Sequence, residues 1–247
     1  MKTTGNTIFL AGGTSGLGLG LAQRFLDLGN KVIISGRRKE LLDQLAAEHP
    51  GLETIALDVA DPDSITDTVE RVIATHPDVN VVITMAGIMH PENLRDANHL
   101  SVSEATITTN LLGTIRVISA FLPHLLNKPD AAVLTVSSGL AFVPLVITPT
   151  YNATKAAIHS YTQSLRLQLA DTSVQVIELI PPAVQTALMG QENDERALPL
   201  DTYLTDTIDI LQNQPDVTEV VIDRVKFLRN AEPEGRYAET LAALNSH

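Results

Sequence analysis

Tyr151 and Lys155 stand four residues apart in Tyr151-Asn152-Ala153-Thr154-Lys155, with Ser137-Ser138 just upstream. The segment has helical spacing, and residues i and i+4 share one helix face, so the ammonium reaches the surroundings of the phenol. An unperturbed phenol titrates near ~10, whereas general acid–base chemistry works best with a pKa close to the operating pH. Two opposite charges about 4 Å apart at an effective dielectric of about 20 attract by roughly 4 kcal/mol, which is roughly three pKa units. On that reckoning Lys155 brings Tyr151 close to neutrality, and the pair is an acid–base device in need of a cofactor. The same spacing also occurs on ordinary helix surfaces, so context has to decide.

The context lies at the other end of the chain. Gly12-Gly13-Thr14-Ser15-Gly16-Leu17-Gly18 separates an apolar run, Thr7 to Ala11, from a helical pattern, Leu17 to Leu28, that Gly29-Asn30 stops. Glycines in that position allow a tight turn and a close backbone approach to a pyrophosphate, while the helix N-terminus offers free N–H groups. The order of strand, glycine loop and helix therefore predicts a dinucleotide site with Gly12, Thr14, Ser15, Gly16, Leu17 and Gly18 as contacts. A carboxylate after the second strand would hold a ribose 2′-hydroxyl; this chain has Ser35-Gly36-Arg37-Arg38 there. Two guanidiniums suit a phosphate, so Arg37 and Arg38 predict NADP(H) in preference to NAD(H).

The elements that must position these groups alternate regularly. Strands are expected at Lys31 to Ser35, Thr54 to Leu57, Val81 to Ala86, Ala131 to Ser137 and Val174 to Ile180, with helices at Lys39 to His49, Asp63 to His76, Val102 to Leu126 and Tyr151 to Asp171. The strands are short, apolar and β-branched, as strands covered on both faces are. The pattern predicts one α/β domain over 1–247, a doubly wound parallel sheet of the Rossmann type with helices on both faces. Beyond Gly190 the polar run Gln191 to Arg196 reads as a mobile loop, Leu200 to Leu211 as a helix and Glu219 to Ile222 as a last strand. We expect 187–212 to form a substrate loop and helix, and 213–247 a C-terminal extension.

Composition narrows the function classes. Seventeen basic against twenty-nine acidic residues give a net charge of −12, which opposes broad affinity for nucleic acid or anionic membrane. The chain has no Cys, so it has no disulfides, thiolate nucleophile or Cys metal site. It shows no signal peptide and no run of eighteen unbroken apolar residues, so a cytoplasmic protein is expected. The seven His residues lack the two-His helical spacing of a zinc site, and no metal is implied. His159 reads as a packed helix residue and His90 as a residue near the cleft.

Together these residues resemble the short-chain dehydrogenase/reductase family over about residues 5 to 190. Ala11-Gly12-Gly13-Thr14-Ser15-Gly16-Leu17-Gly18 matches the family's Thr-Gly-x-x-x-Gly-x-Gly apart from Ala11. Asp58-Val59 is similar to its adenine-contacting Asp-Val, Asn110-Leu111-Leu112-Gly113 to its Asn-x-x-Gly, and Ser138 stands thirteen residues before Tyr151, the family's usual spacing for a catalytic Ser. Ser137-Ser138-Gly139-Leu140-Ala141-Phe142 and Pro181-Pro182 look most like the bacterial DltE-type oxidoreductases. The resemblance implies hydride transfer between nicotinamide and a carbonyl or alcohol, with Tyr151 as proton donor, Ser138 bonding the carbonyl oxygen, Lys155 holding the ribose, and Asn110 bending its helix to hold a relay water. It also implies cofactor contacts from Ala86, Gly87, Pro181, Val184 and Thr186, and a homodimer or homotetramer through the Asn110 and Tyr151 helices.

Three motifs depart from the family pattern: at Ala11, at the pair Thr84-Met85 where Asn-Asn is usual, and at Pro182 in place of Gly. They put cofactor affinity in question and leave the acid–base residues untouched. Between Ser138 and Tyr151 the chain is apolar, and with Leu188 and Met189 it predicts a pocket for a small hydrophobic ketone or aldehyde. The alternatives are a non-catalytic NADP(H) sensor, which would not need Ser138, Tyr151 and Lys155, and a sugar-nucleotide epimerase or dehydratase, for which 247 residues leave little room.

Overall fold

The computed structural model describes residues 1–246. Its first two strands, β1 (Thr7–Ala11) and β2 (Lys31–Gly36), are apolar throughout their centres, and they flank helix α1 (Gly16–Asp27). Helix α2 (Lys39–Glu48), β3 (Leu52–Ala56), α3 (Pro62–Thr75) and β4 (Val81–Thr84) continue the alternation. Asp61 caps α3 by accepting from the Asp63 N–H, and Pro62 occupies the first turn, where a missing N–H costs nothing. β5 (Ala131–Val136), α6 (Pro149–Gln168) and β6 (Val174–Leu179) follow, then α7 (Leu200–Asn213) and a two-residue β7 (Glu219–Val220). The expected last strand is thus shorter than Glu219 to Ile222, because Asp223 already opens another helix.

All seven strands are parallel, in the order β3-β2-β1-β4-β5-β6-β7. The order reverses between β1 and β4, and in such sheets ligands bind at the carboxyl ends of the strands beside that switch point. Alternate strand residues supply two cores, one on each face. Ile8, Leu10, Ile34 and Leu134 pack with Leu21, Phe25 and Leu204 on one side. Phe9, Ile33, Val82 and Val133 pack with Val69, Phe121 and Leu165 on the other.

The helix expected at Val102 to Leu126 is instead a succession: α4 (Leu100–Thr106), a π-helical turn over Ile107–Leu112, and α5 (Gly113–Leu125). The whole stretch Ala97–Leu125 is long and apolar enough, by length and composition alone, to cross a membrane. Here Val117, Ile118, Phe121 and Leu125 from it are buried in the second core. Two helices unforeseen from the sequence, α8 (Asp223–Arg229) and α9 (Tyr237–Leu244), complete the domain.

Candidate active site

The glycine loop lies at the switch point. Gly12 has φ +90°, and a Cβ there would sit 2.5 Å from the Ala86 backbone, so the turn after β1 and the end of β4 touch through a residue that must be glycine. A Cβ on Gly18 would lie 2.3 Å from the Gly12 carbonyl oxygen, which is how α1 seats itself on the loop. Ser15 takes the N-cap position of α1 without a side-chain capping bond, leaving the first-turn N–H groups open to an anion. Thr14 packs on Gly36 at the end of β2, and Thr186 reaches over Gly16, its methyl 3.3 Å from where a Cβ would stand.

Arg37 and Arg38 follow β2 directly, are exposed, and form no ion pair among the described residues. Asp58 accepts from the Ala60 N–H at 2.9 Å, while Val59 is buried against Gly113. These groups line the β1-β2-β3 side of the crevice. At the departures from the family pattern, Ala11 is paired with Thr84 in the sheet, the Thr84 hydroxyl donates to the Leu134 carbonyl at 3.4 Å, and Met85 borders the cavity described below.

The acid–base groups converge on the β4-β5-β6 side. Ser138 has an extended backbone after β5, and its Oγ accepts from the Leu140 N–H at 3.1 Å, which leaves its own O–H free to donate. Tyr151 and Lys155 both come from the first two turns of α6 and are 8% and 5% exposed, low enough for burial to dominate their titration. Burial pushes Tyr151 up to about 12, with the Ser138 hydroxyl opposing. Burial also lowers Lys155 to about 8, opposed by the charge of Glu178.

These values correct the expectation that Lys155 draws the phenol close to neutrality. Lys155 Nζ is 5.5 Å from the Tyr151 ring centroid and donates to the Val136 carbonyl at 2.7 Å. Desolvation of both groups outweighs their mutual attraction.

Asn110 is fully buried in the π turn. Its amide accepts from the Ile88 N–H at 2.8 Å and donates to the Ile88 carbonyl at 2.9 Å, tying the segment after β4 to α5. A Cβ on the neighbouring Gly87 would be 3.5 Å from Asn110 Oδ1 and 4.0 Å from Lys155 Nζ, which places all three at one spot. The helix carries an extra residue in the turn at Asn110, and the Asn110 carbonyl accepts from the Thr114 hydroxyl at 2.7 Å.

Over these residues opens a cavity of about 610 Å³, a size suited to a small ligand. Ser138, Tyr151 and Lys155 form part of its wall, along with Gly87, Pro181, Val184 and Thr186. The remainder is largely apolar: Leu140, Leu145, Val146, Leu188, Met189 and Leu244. Met189 holds a left-handed backbone, φ 59°, uncommon for a side-chain-bearing residue and found here beside the cavity.

Several contributors escaped sequence reasoning. Glu92 accepts from the Thr150 N–H (3.0 Å), the Thr150 hydroxyl (2.7 Å) and the Ser103 hydroxyl (2.6 Å), fixing the N-terminus of α6 one residue before Tyr151. Asn245 accepts from the Val146 N–H at 2.7 Å and donates to the Pro144 carbonyl at 3.1 Å, so the end of α9 grips the cavity loop. The apolar spacing of Tyr237, Leu241 and Leu244 is a signal that could have found α9; nothing local points to its docking site. His159 lies at 2.9 Å from the fully buried Glu178, and His90 is exposed.

Residues 6–197 match the family model described as short chain dehydrogenase. The chain belongs to the short-chain dehydrogenase family. It is 38% identical over 237 residues, 94% of this chain and 93% of the other, to the uncharacterized oxidoreductase DltE of Bacillus subtilis. An uncharacterized oxidoreductase of Staphylococcus saprophyticus is 30% identical over 73% of this chain and 79% of its own length. Among solved structures, a short-chain dehydrogenase from Burkholderia cenocepacia in complex with NADP superposes with a TM-score of 0.83 at 23% identity, covering 98% of this chain and 99% of that one. A 3-ketoacyl-(acyl-carrier-protein) reductase from Brucella melitensis complexed with NADH gives 0.78 at 24% identity, with 90% and 96% coverage. As a short-chain dehydrogenase the protein is an oxidoreductase with a Rossmann-type fold.

Proposed function

We propose that this short-chain dehydrogenase is NADP(H)-dependent and passes hydride between nicotinamide and a carbonyl or secondary alcohol, with small hydrophobic ketones or aldehydes as substrates. The observation that carries the reading is the convergence of Ser138, Tyr151 and Lys155 in one apolar cavity beside the glycine loop. The residues present fit the cofactor: uncapped N–H groups at α1 suit the pyrophosphate, and the free Arg37 and Arg38 suit a 2′-phosphate on an otherwise acidic protein. When bound, the dinucleotide supplies or accepts the hydride.

The chain's own groups handle the proton and the charge. Tyr151, with its pKa pushed up to about 12, keeps its proton at neutral pH and is placed to give it to a carbonyl oxygen. Ser138 directs a free O–H to the same oxygen, an interaction that strengthens as negative charge develops there. Lys155 holds the ribose hydroxyls, and Asn110 keeps Gly87-Ile88 in place beside it. We assign 187–212 to covering the substrate, through Leu188, Met189 and the Asp194–Arg196 pair at 3.0 Å, and 213–247 to closing the far wall through Leu228 and Leu244. Exposed apolar side chains on both helices, Leu167 on α6 with Ile107 and Leu112 beside Asn110, support association of two or four copies through them.

The test is NADPH and NADH oxidation with a panel of alkyl and aryl ketones and aldehydes. NADPH should have the lower Michaelis constant, and Arg37→Ala should erase the difference. Tyr151→Phe should abolish turnover. Equal constants in the wild type would sink the cofactor assignment, and an active Tyr151→Phe the proton-transfer assignment.

A further inference from the structure

Beneath the acid–base groups lies a polar seam in which one face of α6 meets the ends of β5 and β6. Thr162 and Thr135 share a hydrogen bond at 2.8 Å, and Lys155 reaches the Val136 carbonyl. Between these two contacts sits Glu178 of β6, with no exposed surface. Its carboxyl accepts from the Ser137 hydroxyl, next in sequence to Ser138, and from His159 Nδ1 at 3.0 and 2.9 Å to its two oxygens. The Gln163 amide approaches His159 Nε2 at 3.0 Å, which leaves Nδ1 to carry the ring proton and donate it to Glu178. His159 is one helical turn beyond Lys155. Glu178 thereby links the strand end that bears Ser138 to the helix that bears Tyr151 and Lys155.

A carboxylate without contact to water needs a charge partner. His159 from α6 and Glu219 from β7 face it, and Lys155, on the Val136 carbonyl one residue before Ser137, lies within its electrostatic reach. The ligand atoms of His159, Glu178 and Glu219 lie within 4.8 Å of one another, a separation that would fit one metal ion. Arg229 of α8, however, takes both Glu219 oxygens, at 2.9 and 3.1 Å, and its guanidinium stands where a cation would add like charge. Glu219 is therefore already neutralised, and Lys155 is the cation left to Glu178.

We propose that Glu178 is a positioning residue of the proton-transfer site: it locks Ser137 to His159, and so Ser138 to Tyr151, and it serves as the counter-charge that keeps Lys155 protonated. The functional part of this role rests on the hydride-transfer reading above; the tie and the charge coupling do not. Burial lowers Lys155 to about 8, and Glu178 is the group that opposes the fall. Without Glu178 the ammonium would surrender its proton at a lower pH.

Reductive methylation with 13C-formaldehyde makes each lysine visible by NMR, and Lys155→Arg assigns the Lys155 signal. Glu178→Gln keeps the shape and removes the charge, so the Lys155 midpoint should fall by about one pH unit, the low end of what losing a neighbouring opposite charge does. Glu178→Asp keeps the charge and should restore most of the shift. An unmoved midpoint in folded Glu178→Gln overturns the proposal.

If that variant does not fold, the coupling is read from the other side: the wild-type Glu178 carboxyl carbon should follow the Lys155 titration, and this inflection should vanish in Lys155→Met. A Glu178 signal indifferent to Lys155 overturns the proposal equally. With a reducible ketone in hand, the alkaline limb of kcat should move to lower pH in Glu178→Gln with KM little changed. If the wild type reduces no carbonyl compound, the functional reading fails while the NMR result still decides the role of Glu178.

Discussion

Lys155→Met should change how the protein's stability depends on pH. Burial lowers the folded-state pKa of Lys155 from 10.5 to about 8. At about 1.4 kcal/mol per unit, that shift is worth about 3 kcal/mol. Because the folded value lies below the unfolded one, the unfolded chain holds a proton between about pH 8 and 10.5 that the folded protein has released. Stability therefore rises with pH across this window, and the benefit is lost as pH falls through about 8.

Tyr151 works in the opposite sense, since its folded value of about 12 lies above 10.0. Its contribution is complete below about pH 10 and is lost as pH rises towards about 12. Tyr151 is present in both proteins, so comparing them isolates Lys155. Equilibrium unfolding in guanidinium chloride at about pH 7, 8, 9 and 10.5 should show the wild type gaining about 3 kcal/mol on Lys155→Met between the ends of the series. Parallel curves would refute the argument, for they would mean that this ammonium is not penalised by its surroundings.

Gly12→Ala would place a methyl 2.5 Å from the Ala86 backbone at φ +90°. The conformation alone costs about 1–2 kcal/mol, so NADPH affinity, followed by fluorescence titration, should fall about tenfold or more. Asn110→Ala leaves the Ile88 N–H and carbonyl without their buried partner and should lower stability in urea by about 2–4 kcal/mol. A loss below about 0.5 kcal/mol would show that the π turn stands without this tie. Asn245→Ala removes two exposed hydrogen bonds to the Pro144–Val146 loop, so it should cost under about 1 kcal/mol while raising KM more for bulky ketones than for small ones.

Much of the architecture was readable because it follows from local pattern. Short β-branched runs alternating with amphipathic stretches predict a parallel sheet, and each strand and helix expected before residue 181 is present within a few residues of its expected bounds, except that the helix expected at Val102 to Leu126 is broken by a π turn. The glycine loop was legible for the same reason, since φ > 0 and close backbone approach admit few other residues. The π turn at Asn110 was not: an extra residue in a helical turn leaves the apolar periodicity almost unchanged, and its stabilising contact, Ile88, is remote in sequence. Nor were Glu92, Glu178 and Asn245, ordinary polar residues whose partners lie 58, 41 and 99 positions away.

The sequence by itself determined that Tyr151 and Lys155 share a helix face, because i and i+4 spacing is a property of the helix alone. What the two groups do there was decided by tertiary structure. Spacing predicts attraction and a lowered phenol pKa; the packed sheet and helices around them exclude water, and desolvation raises Tyr151 and lowers Lys155 instead. The counter-charge that moderates this effect comes from β6, and part of the cavity wall, Leu228 and Leu244, comes from α8 and α9 at the far end of the chain. Local chemistry selected the residues, whereas long-range packing fixed their dielectric surroundings, on which proton affinity depends.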